Sequence, residues 1–457
     1  MAVKYRVGII GTGRMGGLIE DELAPGEMSA SRPYGHVPAY MAIDETEVVA
    51  IANRSSDRMQ RFGERFGITN TFLDYREMID TQHLDIVSVT TPSFARAEPL
   101  IYAAEHGVRA IYSEKGLCAS LAEADRIREV LKANGVAFNW GAMRRHDVGY
   151  RALAAAIAAG DIGEPQIALM YTYTDLIKHH PHTLDTVSML LGDPAPDWVA
   201  GRLIDADDSF DPEPRRPVPL FDSAHNKFLP SPGYEIADPY VGAFQVGYRN
   251  GVVGHFIPHR GFFDVEVRGE KGRAYALDNG KVIGLRRSGA PEAESGMYGT
   301  ETSDRTFFKF GESPTINIIR DLIHSMETGK STRGNIDVTM NSVEVQFALA
   351  HSHLDGGTRR PRLRRRRATE GPRRGLPGHR SRRPARPLLP AAPQRAALLL
   401  GGAVSEGSAP RLISPRACKW MLNWFPPLLF QRIRVEEVSD DFQYCRIRVK
   451  KSWLTRN

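Results

Sequence analysis

The sequence has little cysteine: only Cys118, Cys418 and Cys445 occur in 457 residues. Three widely spaced thiols exclude a disulfide scaffold and a cysteine-based zinc site, and they fit a reducing cytoplasm. The chain also lacks any run of about 18 apolar residues, which excludes a transmembrane helix. Its first residues contain no apolar stretch followed by a small-residue cleavage site, so a secretory signal is not expected. We therefore expect a cytoplasmic protein with no membrane partner.

The net charge of +6 conceals an uneven distribution along the chain. Residues 359–395 carry a net charge of +13, with 14 arginines and no lysine, and residues 396–457 add a further +5. Residues 1–358 therefore carry a net charge of −12. Because this main body is acidic, the basic average does not predict nucleic-acid binding for it.

Strand and helix patterns alternate over residues 1–145. Helical stretches separate five apolar strands, which are expected near residues 4–10, 48–52, 85–89, 108–112 and 136–139. Repeated units of this kind predict an α/β fold with a doubly wound parallel sheet, a Rossmann domain. Over residues 146–358, strands follow one another with turns at Asn250–Gly251 and Asn279–Gly280, which predicts an α+β domain with a mainly antiparallel sheet. Within that domain, residues 205–239 are rich in Asp and Pro and are expected to form a loop or lid.

The composition changes abruptly after residue 358. Residues 359–395 are almost wholly Arg, Pro, Ala, Gly and Leu, a composition that cannot form a packed core, and we expect disorder over residues 359–416. One interpretation is an arginine-rich arm for nucleic acid or membrane surfaces. The other, which we favour, is out-of-frame translation of a GC-rich gene, because the dominant residues have GC-rich codons and lysine is missing.

Polar and apolar residues alternate again near the end of the chain. The pattern over residues 433–438 and 444–450 predicts a hairpin. Residues 417–457 resemble the beginning of a hotdog-fold thioesterase-like domain, but about forty residues are too few to bury a core unaided. We therefore expect a truncated fragment without thioesterase activity.

A glycine-rich motif follows the first predicted strand. Its six residues are Gly11, Thr12, Gly13, Arg14, Met15 and Gly16. The glycines allow the backbone to turn tightly and to approach a pyrophosphate, which then lies at the N-terminus of the following helix. The position between a strand and a helix favours dinucleotide binding over a purely structural turn.

The residues after the second predicted strand determine which dinucleotide is preferred. NAD enzymes usually place Asp or Glu there to bind the ribose hydroxyls, whereas this chain has Asn53, Arg54 and Ser55. No carboxylate repels a 2′-phosphate, and Arg54 can pair with it. The pattern favours NADP over NAD; in the alternative, Arg54 is a solvated loop residue and both cofactors bind.

Glu114 and Lys115 follow the fourth predicted strand. A lysine at the carboxyl edge of a parallel sheet points toward the ligand crevice. There its ammonium group can hydrogen-bond a substrate hydroxyl or carbonyl and transfer its proton during hydride transfer. The alternative is an ordinary surface lysine.

Several motifs together resemble the Gfo/Idh/MocA oxidoreductase family, which includes glucose–fructose oxidoreductase and inositol dehydrogenases. In chain order they are the glycine motif, Thr91–Pro92, Glu114–Lys115, the run at residues 160–165 and the pair His182 and Asp185. The resemblance covers about residues 3–358. It implies a Rossmann domain and a second α/β domain whose open sheet covers the cofactor and supports a homo-oligomer. It also implies that Lys115 is the catalytic lysine, and we place Thr91, Pro92, Glu114 and Lys115 among the cofactor-binding residues.

His182 matches the family's substrate-side histidine, and we predict that it is catalytic. His182 and Asp185 lie three residues apart on one helical face, so both can point into one cleft. A neutral imidazole beside a hydroxyl is a plausible general base near neutral pH. In the alternative, His182 only caps or orients the helix.

Two positions depart from the family's pattern. Gly116 stands where the family usually has proline, and Lys178 stands where an aspartate commonly precedes the histidine by four residues. The second departure puts the usual Asp-His-Lys relay in doubt. No acidic or cysteine set accompanies the histidine-rich tract at residues 179–182, so no metal is expected.

Further polar residues are candidates for the substrate site. Arg144, Asp185 and Lys178 are our predicted substrate-binding residues. Two further groups have open roles. One group either binds substrate hydroxyls or bridges the two domains: Asn139 and residues 144–146. The other group either reaches the cleft or consists of ordinary sheet residues: Tyr171, Tyr173 and Asp175.

The sequence therefore predicts an NAD(P)-dependent oxidoreductase that transfers hydride between nicotinamide and a polyhydroxylated substrate, a sugar or cyclitol. The alternative is a catalytically impaired, cofactor-binding regulatory or interaction protein. The departures at Gly116 and Lys178 favour this alternative, whereas Lys115 beside a cleft histidine argues against it.

Overall fold

The described part of the chain comprises several stretches of the computed structural model. They are residues 5–22, 32–204, 221–222, 227–228, 238–260, 263–288, 302–307, 312–361, 433–438 and 445–449. Residues 1–368 form one compact unit and residues 369–457 a second one. No helix in these stretches is long and apolar enough to cross a membrane.

Six parallel strands form the N-terminal sheet. They are β1 (Tyr5–Ile10), β2 (Thr46–Ala52), β3 (Thr71–Phe72), β4 (Ile86–Val89), β5 (Ala110–Ser113) and β6 (Ala137–Trp140). The strand order is β3-β2-β1-β4-β5-β6, and every neighbouring pair is parallel. The order reverses between β1 and β4, which creates the crevice where doubly wound sheets bind ligands. The predicted Rossmann sheet is confirmed.

Helices cover both faces of this sheet, whose strands place buried apolar side chains on each face. They are α1 (Ile19–Glu22), α2 (His36–Met41), α3 (Ser56–Phe66), α4 (Tyr75–Gln82), α5 (Ala97–Glu105) and α6 (Leu121–Ala133). A π-helical turn over Arg14–Leu18 leads directly into α1. A capping box begins α6: the Ser120 hydroxyl accepts from the Glu123 N–H at 3.2 Å, and the Glu123 carboxylate accepts from the Ala119 N–H at 2.9 Å.

The second sheet has nine strands. They are β7 (Pro165–Thr172), β8 (Pro196–Ile204), β11 (Tyr240–Tyr248), β12 (Val253–Pro258), β13 (Asp264–Gly269), β14 (Gly272–Leu277), β15 (Val282–Ser288), β16 (Thr302–Phe307) and β17 (Arg360–Pro361). Their order is β16-β15-β14-β13-β7-β12-β11-β8-β17, and only β7 and β12 pair in parallel. A separate two-stranded ribbon consists of β9 (Phe221–Asp222) and β10 (Lys227–Phe228). The mainly antiparallel second sheet and its two Asn-Gly turns agree with the prediction.

Four longer helices accompany the second half of the compact unit. They are α7 (Val148–Ala158), α8 (Pro181–Leu190), α9 (Pro314–Thr328) and α10 (Ile336–Leu354). Helix α9 packs on the N-terminal sheet, where Ile319 and Leu322 share a core with Val7. Helix α10 contributes Phe347 to the core of the N-terminal sheet and Leu349 to the core of the second sheet. Late segments of the chain therefore bind the two sheets to each other and fix the cleft between them.

The second sheet continues past residue 358, where the sequence predicts the main body to end. Arg360 and Pro361 form β17, which pairs antiparallel with Val199 and Trp198 of β8. The Arg359 guanidinium lies 4.2 Å from the centre of the Trp198 ring. This cation–π contact and the backbone pairing extend the sheet into the segment predicted to be disordered.

The other predictions on the tail concern residues that the structure describes only in part. Most of the arginine-rich segment and of the predicted lid at residues 205–239 lies outside the described residues. In the second unit, β18 (Ile433–Val438) and β19 (Cys445–Val449) form the predicted antiparallel hairpin. The resemblance to a hotdog domain stays a prediction.

Candidate active site

The glycine motif lies at the carboxyl edge of β1, and its backbone is held by neighbouring strands. The Gly11 N–H donates to the Ala52 carbonyl at 2.9 Å, and the Thr90 hydroxyl donates to the Gly11 carbonyl at 2.7 Å. Gly11 has a φ of +105°, and a Cβ atom there would lie 2.7 Å from the Thr90 hydroxyl oxygen. A Cβ atom on Gly16 would lie 2.7 Å from the Gly11 carbonyl oxygen. The turn therefore requires glycine at both positions.

Gly13 differs from these two glycines. Its φ of −92° is allowed for any residue, and an added Cβ atom would meet nothing within 4 Å. No protein atom fills the space next to the Gly13 backbone, and a bound pyrophosphate needs such space to come close to the main chain. Thr12 is buried and accepts from the Asn53 side-chain amide, while Arg14 pairs with Glu22. Met15, between Arg14 and Gly16, completes this predicted cofactor segment.

The residues after β2 have separate roles. Asn53 is engaged with Thr12, and the Ser55 hydroxyl accepts from the Arg58 N–H at 3.4 Å as the N-cap of α3. Arg54 between them is exposed, and within the described stretches no ion pair involves it. Its guanidinium is therefore free to meet a ligand at this corner of the crevice.

A buried arginine joins the two loops that border the crevice. Arg96 donates to the carbonyl of Thr91 and to the carbonyls of Glu114 and Gly116, the Glu114 bond measuring 2.7 Å. Burial lowers the pKa of Arg96 to about 10, so the guanidinium remains charged at neutral pH. Pro92 begins a short 3₁₀ turn over Ser93–Ala95 beside it. Thr91, Pro92 and Glu114 are thus brought together at one edge of the sheet, although Arg96 occupies the carbonyls of Thr91 and Glu114.

Glu114 is a buried carboxylate with several partners. Its Oε1 lies 3.2 Å from His36 Nε2, and its Oε2 accepts from the Lys115 N–H at 3.1 Å. His36 is stacked on Tyr112, with the ring centres 3.9 Å apart. Burial raises the pKa of Glu114, but the hydrogen bond and charge of His36 and the charges of Lys115 and Arg96 outweigh it, and the pKa lies below its ordinary value. Glu114 is therefore an anion beneath the Lys115 side chain.

Lys115 reaches into the cleft between the two sheets. Its Nζ atom donates to the Lys178 backbone carbonyl at 2.9 Å. Burial lowers the pKa of Lys115, while the negative charges of Glu114 and Asp175 oppose that shift. A lowered lysine pKa increases the fraction of neutral amine near neutral pH, which suits proton transfer.

The turn that carries Lys115 is packed closely against the segment that precedes α8. An added Cβ atom on Gly116 would lie 2.4 Å from the Ile177 carbonyl oxygen. The glycine that replaces the family's proline therefore makes room for the Ile177–Lys178 backbone. The two departures noted in the sequence are neighbours in space.

An aspartate–histidine pair lies beside Lys115. The Asp175 carboxylate is 2.8 Å from His179 Nδ1 and accepts from the His179 N–H at 2.7 Å. Burial lowers the pKa of His179 against the opposing effect of Asp175, and Lys115 lowers it further. The sequence analysis left Asp175 open and did not single out His179. One sequence signal could have identified the pair. Asp175 precedes His179 by four residues, the spacing that the family has between its aspartate and histidine, but this pair lies three residues before the position matched by His182.

His182 lies near the same groups. Burial lowers the pKa of His182 well below its ordinary value, and the charges of Lys115, Arg144 and His179 act in the same direction. Its Nδ1 is buried and has no hydrogen-bond partner among the described residues. The imidazole is neutral at neutral pH, and its Nδ1 is not used by a protein group among the described residues.

Asp185 and Arg144 face other parts of the protein. Asp185 is buried in an ion pair with Arg145 at 2.8 Å, and Arg145 also pairs with Asp193 at 2.7 Å. Arg144 lies over the Phe263 ring at 3.5 Å from its centre and bonds Asn279. Their substrate roles stay predictions: the structure shows Asp185 satisfied by protein groups, which the helical spacing from His182 could not reveal.

Lys178, the third predicted substrate residue, is half-buried. Its backbone carbonyl accepts from Lys115, and its N–H donates to Asp238 at 3.0 Å. Burial lowers the pKa of its side chain, opposed by Asp175 and Asp238. Across the described stretches, no three His, Cys, Asp or Glu side chains converge as a metal-ligand set.

Known proteins resemble parts of this chain in sequence and fold. Residues 5–141 match the GFO_IDH_MocA family model, described as an oxidoreductase family with an NAD-binding Rossmann fold. A myo-inositol 2-dehydrogenase from Thermotoga maritima is 28% identical over 162 residues, which are 35% of this chain and 43% of that protein. The match of this chain thus spans less than half of that relative.

Solved structures match over a longer part of the chain. A levoglucosan dehydrogenase in complex with NADH and L-sorbose superposes with a TM-score of 0.60 at 19% identity and covers 79% of this chain and 99% of its own. KijD10, a 3-ketoreductase from Actinomadura kijaniata in complex with TDP-benzene and NADP, gives a TM-score of 0.54 at 18% identity, with coverages of 76% and 98%. At these identities the likeness establishes the two-sheet fold.

Proposed function

We propose that this protein is an NAD(P)-dependent oxidoreductase that acts on the CH–OH group of a polyhydroxylated substrate, a sugar or cyclitol. The observation that carries the proposal is the position of Lys115: its amine lies at the carboxyl edge of a Rossmann sheet, beside Asp175, His179 and His182. The family match over residues 5–141 and the inositol dehydrogenase relative support the same activity.

The cofactor fits the residues at the edge of the sheet. The open space above Gly13 and the tightly held turn at Gly11 leave a backbone cradle for a pyrophosphate. When bound, the nicotinamide supplies the site that accepts or donates hydride. The protein's part is to bind the dinucleotide, orient the substrate carbon and move the hydroxyl proton.

Lys115 performs the proton transfer in this proposal. In the oxidation direction, the neutral amine accepts the proton of the substrate hydroxyl, and the charged ammonium returns it in reduction. In this proposal the neutral imidazole of His182, near Lys115, interacts with a neighbouring hydroxyl of the substrate. Asp175 orients His179 and stabilises positive charge on Lys115. Replacing His182 by alanine is therefore expected to raise KM for the polyol.

We further propose a preference for NADP. Arg54 is exposed at the end of β2, and Asn53 rather than a carboxylate occupies the preceding position. A guanidinium at this corner can pair with a 2′-phosphate in a charge-assisted bond. In the alternative that the sequence left open, NAD and NADP bind equally.

We also propose a homo-oligomer through the open face of the second sheet. Exposed apolar side chains occur on four of its strands: Tyr240, Ile257, Leu277 and Val282. Apolar residues grouped on one sheet mark a protein interaction surface. Light scattering of the protein and of Ile257→Glu is expected to show an oligomer that the substitution weakens.

The activity is tested by incubating the protein with a panel of sugars, polyols and cyclitols and with each cofactor, while absorbance at 340 nm is followed. Formation of reduced cofactor with at least one polyol supports the proposal. Tight dinucleotide binding without turnover on the whole panel favours the regulatory alternative instead.

A further inference from the structure

The partly buried carboxylate of Asp238 holds the backbone immediately before the carbonyl that Lys115 contacts. Asp238 accepts from the Ile177 N–H at 2.7 Å through Oδ1 and from the Lys178 N–H at 3.0 Å through Oδ2. Both oxygens of one side chain thus bind two consecutive N–H groups. This bidentate contact fixes the orientation of the peptide between Ile177 and Lys178.

The segment that carries Asp238 is itself anchored. The Leu176 N–H donates to the Pro239 carbonyl at 3.0 Å, and the Val241 N–H donates to the Thr174 carbonyl at 2.9 Å. Asp175 and Tyr240 form a β-bridge between these two bonds. Asp238 is therefore held in register with the segment whose N–H groups it binds.

The same segment contacts Lys115 from its other side. The Lys178 carbonyl accepts from Lys115 Nζ at 2.9 Å, and Gly116 leaves the space that the Ile177 carbonyl occupies. Lys178 therefore donates its N–H to the Asp238 carboxylate and accepts from the Lys115 amine at its carbonyl, which belongs to the next peptide unit. That next unit is held in turn by the His179 N–H, which donates to Asp175 at 2.7 Å. Loss of the Asp238 contact removes one of the two anchors that orient Lys178.

We propose that Asp238 is a positioning residue for Lys115: by binding the Ile177 and Lys178 N–H groups, it directs the Lys178 carbonyl at the Lys115 amine and holds that amine where the substrate hydroxyl arrives. The inference deepens the proposed function and rests on it. Asp238 itself touches neither substrate nor cofactor in this account, and sequence motifs did not single it out.

The charge of Asp238 makes this role sensitive to pH. Burial raises the pKa of Asp238 to about 7, and Asp175 acts in the same direction, while the two N–H groups and Lys178 oppose the shift. Asp175 and Lys178 are the charged groups that act on it within the described residues. Protonation near neutral pH weakens both N–H contacts, so turnover is expected to fall on the acid side.

The effect of Asp238 on the stability of the fold has the opposite pH dependence to its effect on turnover. Its folded-state pKa is raised, so its stabilising contribution is complete below the unfolded-state pKa and is lost as pH rises through about 7. The charged form therefore costs stability while it positions Lys115. This opposition separates a positioning role from a purely structural one, in which stability and turnover fall together.

The test compares the protein with Asp238→Asn, with Asp238→Glu and with the control Asp44→Asn. Asp44 is exposed and precedes β2 at the opposite edge of the sheet. Above neutral pH, Asp238→Asn is expected to lower kcat by about ten- to a hundredfold, as a misplaced catalytic group does, while the melting temperature does not fall. In Asp238→Asn the fall in kcat on the acid side then reflects the titration of Lys115 alone, whereas Asp238→Glu keeps the additional fall caused by protonation of its carboxyl group. Asp44→Asn changes neither kcat nor the melting temperature.

A second measurement does not depend on turnover. Reductive methylation of Lys115 with formaldehyde, followed by peptide mass spectrometry, is expected to be several-fold faster in Asp238→Asn because the amine has lost its carbonyl partner. An unchanged methylation rate overturns the inference even if the polyol panel gives no activity and the proposed function fails. An unchanged kcat profile in an active enzyme, or a melting temperature that falls in proportion to kcat, overturns it as well.

Discussion

The Lys115 amine donates a hydrogen bond to the backbone carbonyl of Lys178 at 2.9 Å. In the sequence these residues are two separate signals, a predicted catalytic lysine and a departure from a family motif. Their contact requires Gly116, because a side chain there would meet the Ile177 carbonyl. The two departures therefore do not argue for an impaired site, since together they form the environment of Lys115.

Gly13→Ala is expected to weaken binding of NAD and NADP without lowering the melting temperature. The added methyl group meets no protein atom within 4 Å but enters the space that a pyrophosphate needs. Cofactor titration by fluorescence, with a thermal melt of the same sample, checks this. Gly11→Ala is the contrasting variant, because Gly11 has a φ of +105° and an added methyl group would contact Thr90. This variant is expected to lower the free energy of unfolding by about 1–3 kcal/mol. Full cofactor affinity in folded Gly13→Ala would contradict the assigned cradle.

Arg54→Ala is expected to weaken NADP binding much more than NAD binding. A well-formed bond between the guanidinium and the 2′-phosphate is worth about 1.5–3 kcal/mol, and NAD lacks that phosphate. Dissociation constants for both cofactors measure the difference. Arg58→Ala, in the same helix-start region, serves as the control that keeps the preference. Equal weakening of both cofactors would show that Arg54 does not recognise the phosphate.

Asp175→Asn is expected to move the acidic limb of the oxidation profile to lower pH. The Asp175 carboxylate raises the pKa of Lys115 and also that of Asp238, so loss of its charge lowers both. The neutral Lys115 amine is then available at lower pH. Profiles of kcat against pH for both proteins check the direction. A shift to higher pH would contradict the assigned coupling between these groups.

A chain that ends at residue 368 is expected to fold and to bind cofactor with unchanged affinity, because the first compact unit ends there. A chain that ends at residue 357 loses β17 and the contact of Arg359 with Trp198, and it should melt at a lower temperature. Thermal unfolding and cofactor titration compare both chains with the whole protein. If the chain that ends at residue 368 fails to fold, the residues after 368 are needed by the main body, which would contradict this prediction.

Local patterns predicted much of the fold. Gly11–Gly16 after an apolar strand indicated the dinucleotide turn, and Asn250–Gly251 and Asn279–Gly280 indicated hairpins, because each signal depends on a few adjacent residues. The packing of α9 on the first sheet was not predictable. Its apolar face shows that Ile319 and Leu322 are buried, but not which strands bury them.

The candidate site was predictable only in part for the same reason. Lys115 follows a strand, and its position at the sheet edge follows from topology. Its partner Lys178 is 63 residues away, and only the tertiary fold brings the two together. The helical spacing placed Asp185 with His182, yet Arg145 draws the Asp185 carboxylate into a buried ion pair. His179 was missed because His182 matched the family's motif better.

The most direct test of the account is the turnover number of Lys115→Ala on a polyol substrate found in the panel. The account predicts that kcat falls by roughly 10²–10⁴, the range for loss of a general acid or base, while cofactor affinity stays within a few fold. Lys330→Ala is the control, since Lys330 is exposed on the surface and should leave kcat unchanged. A folded Lys115→Ala protein with near-normal kcat would contradict the central claim that Lys115 transfers the substrate proton.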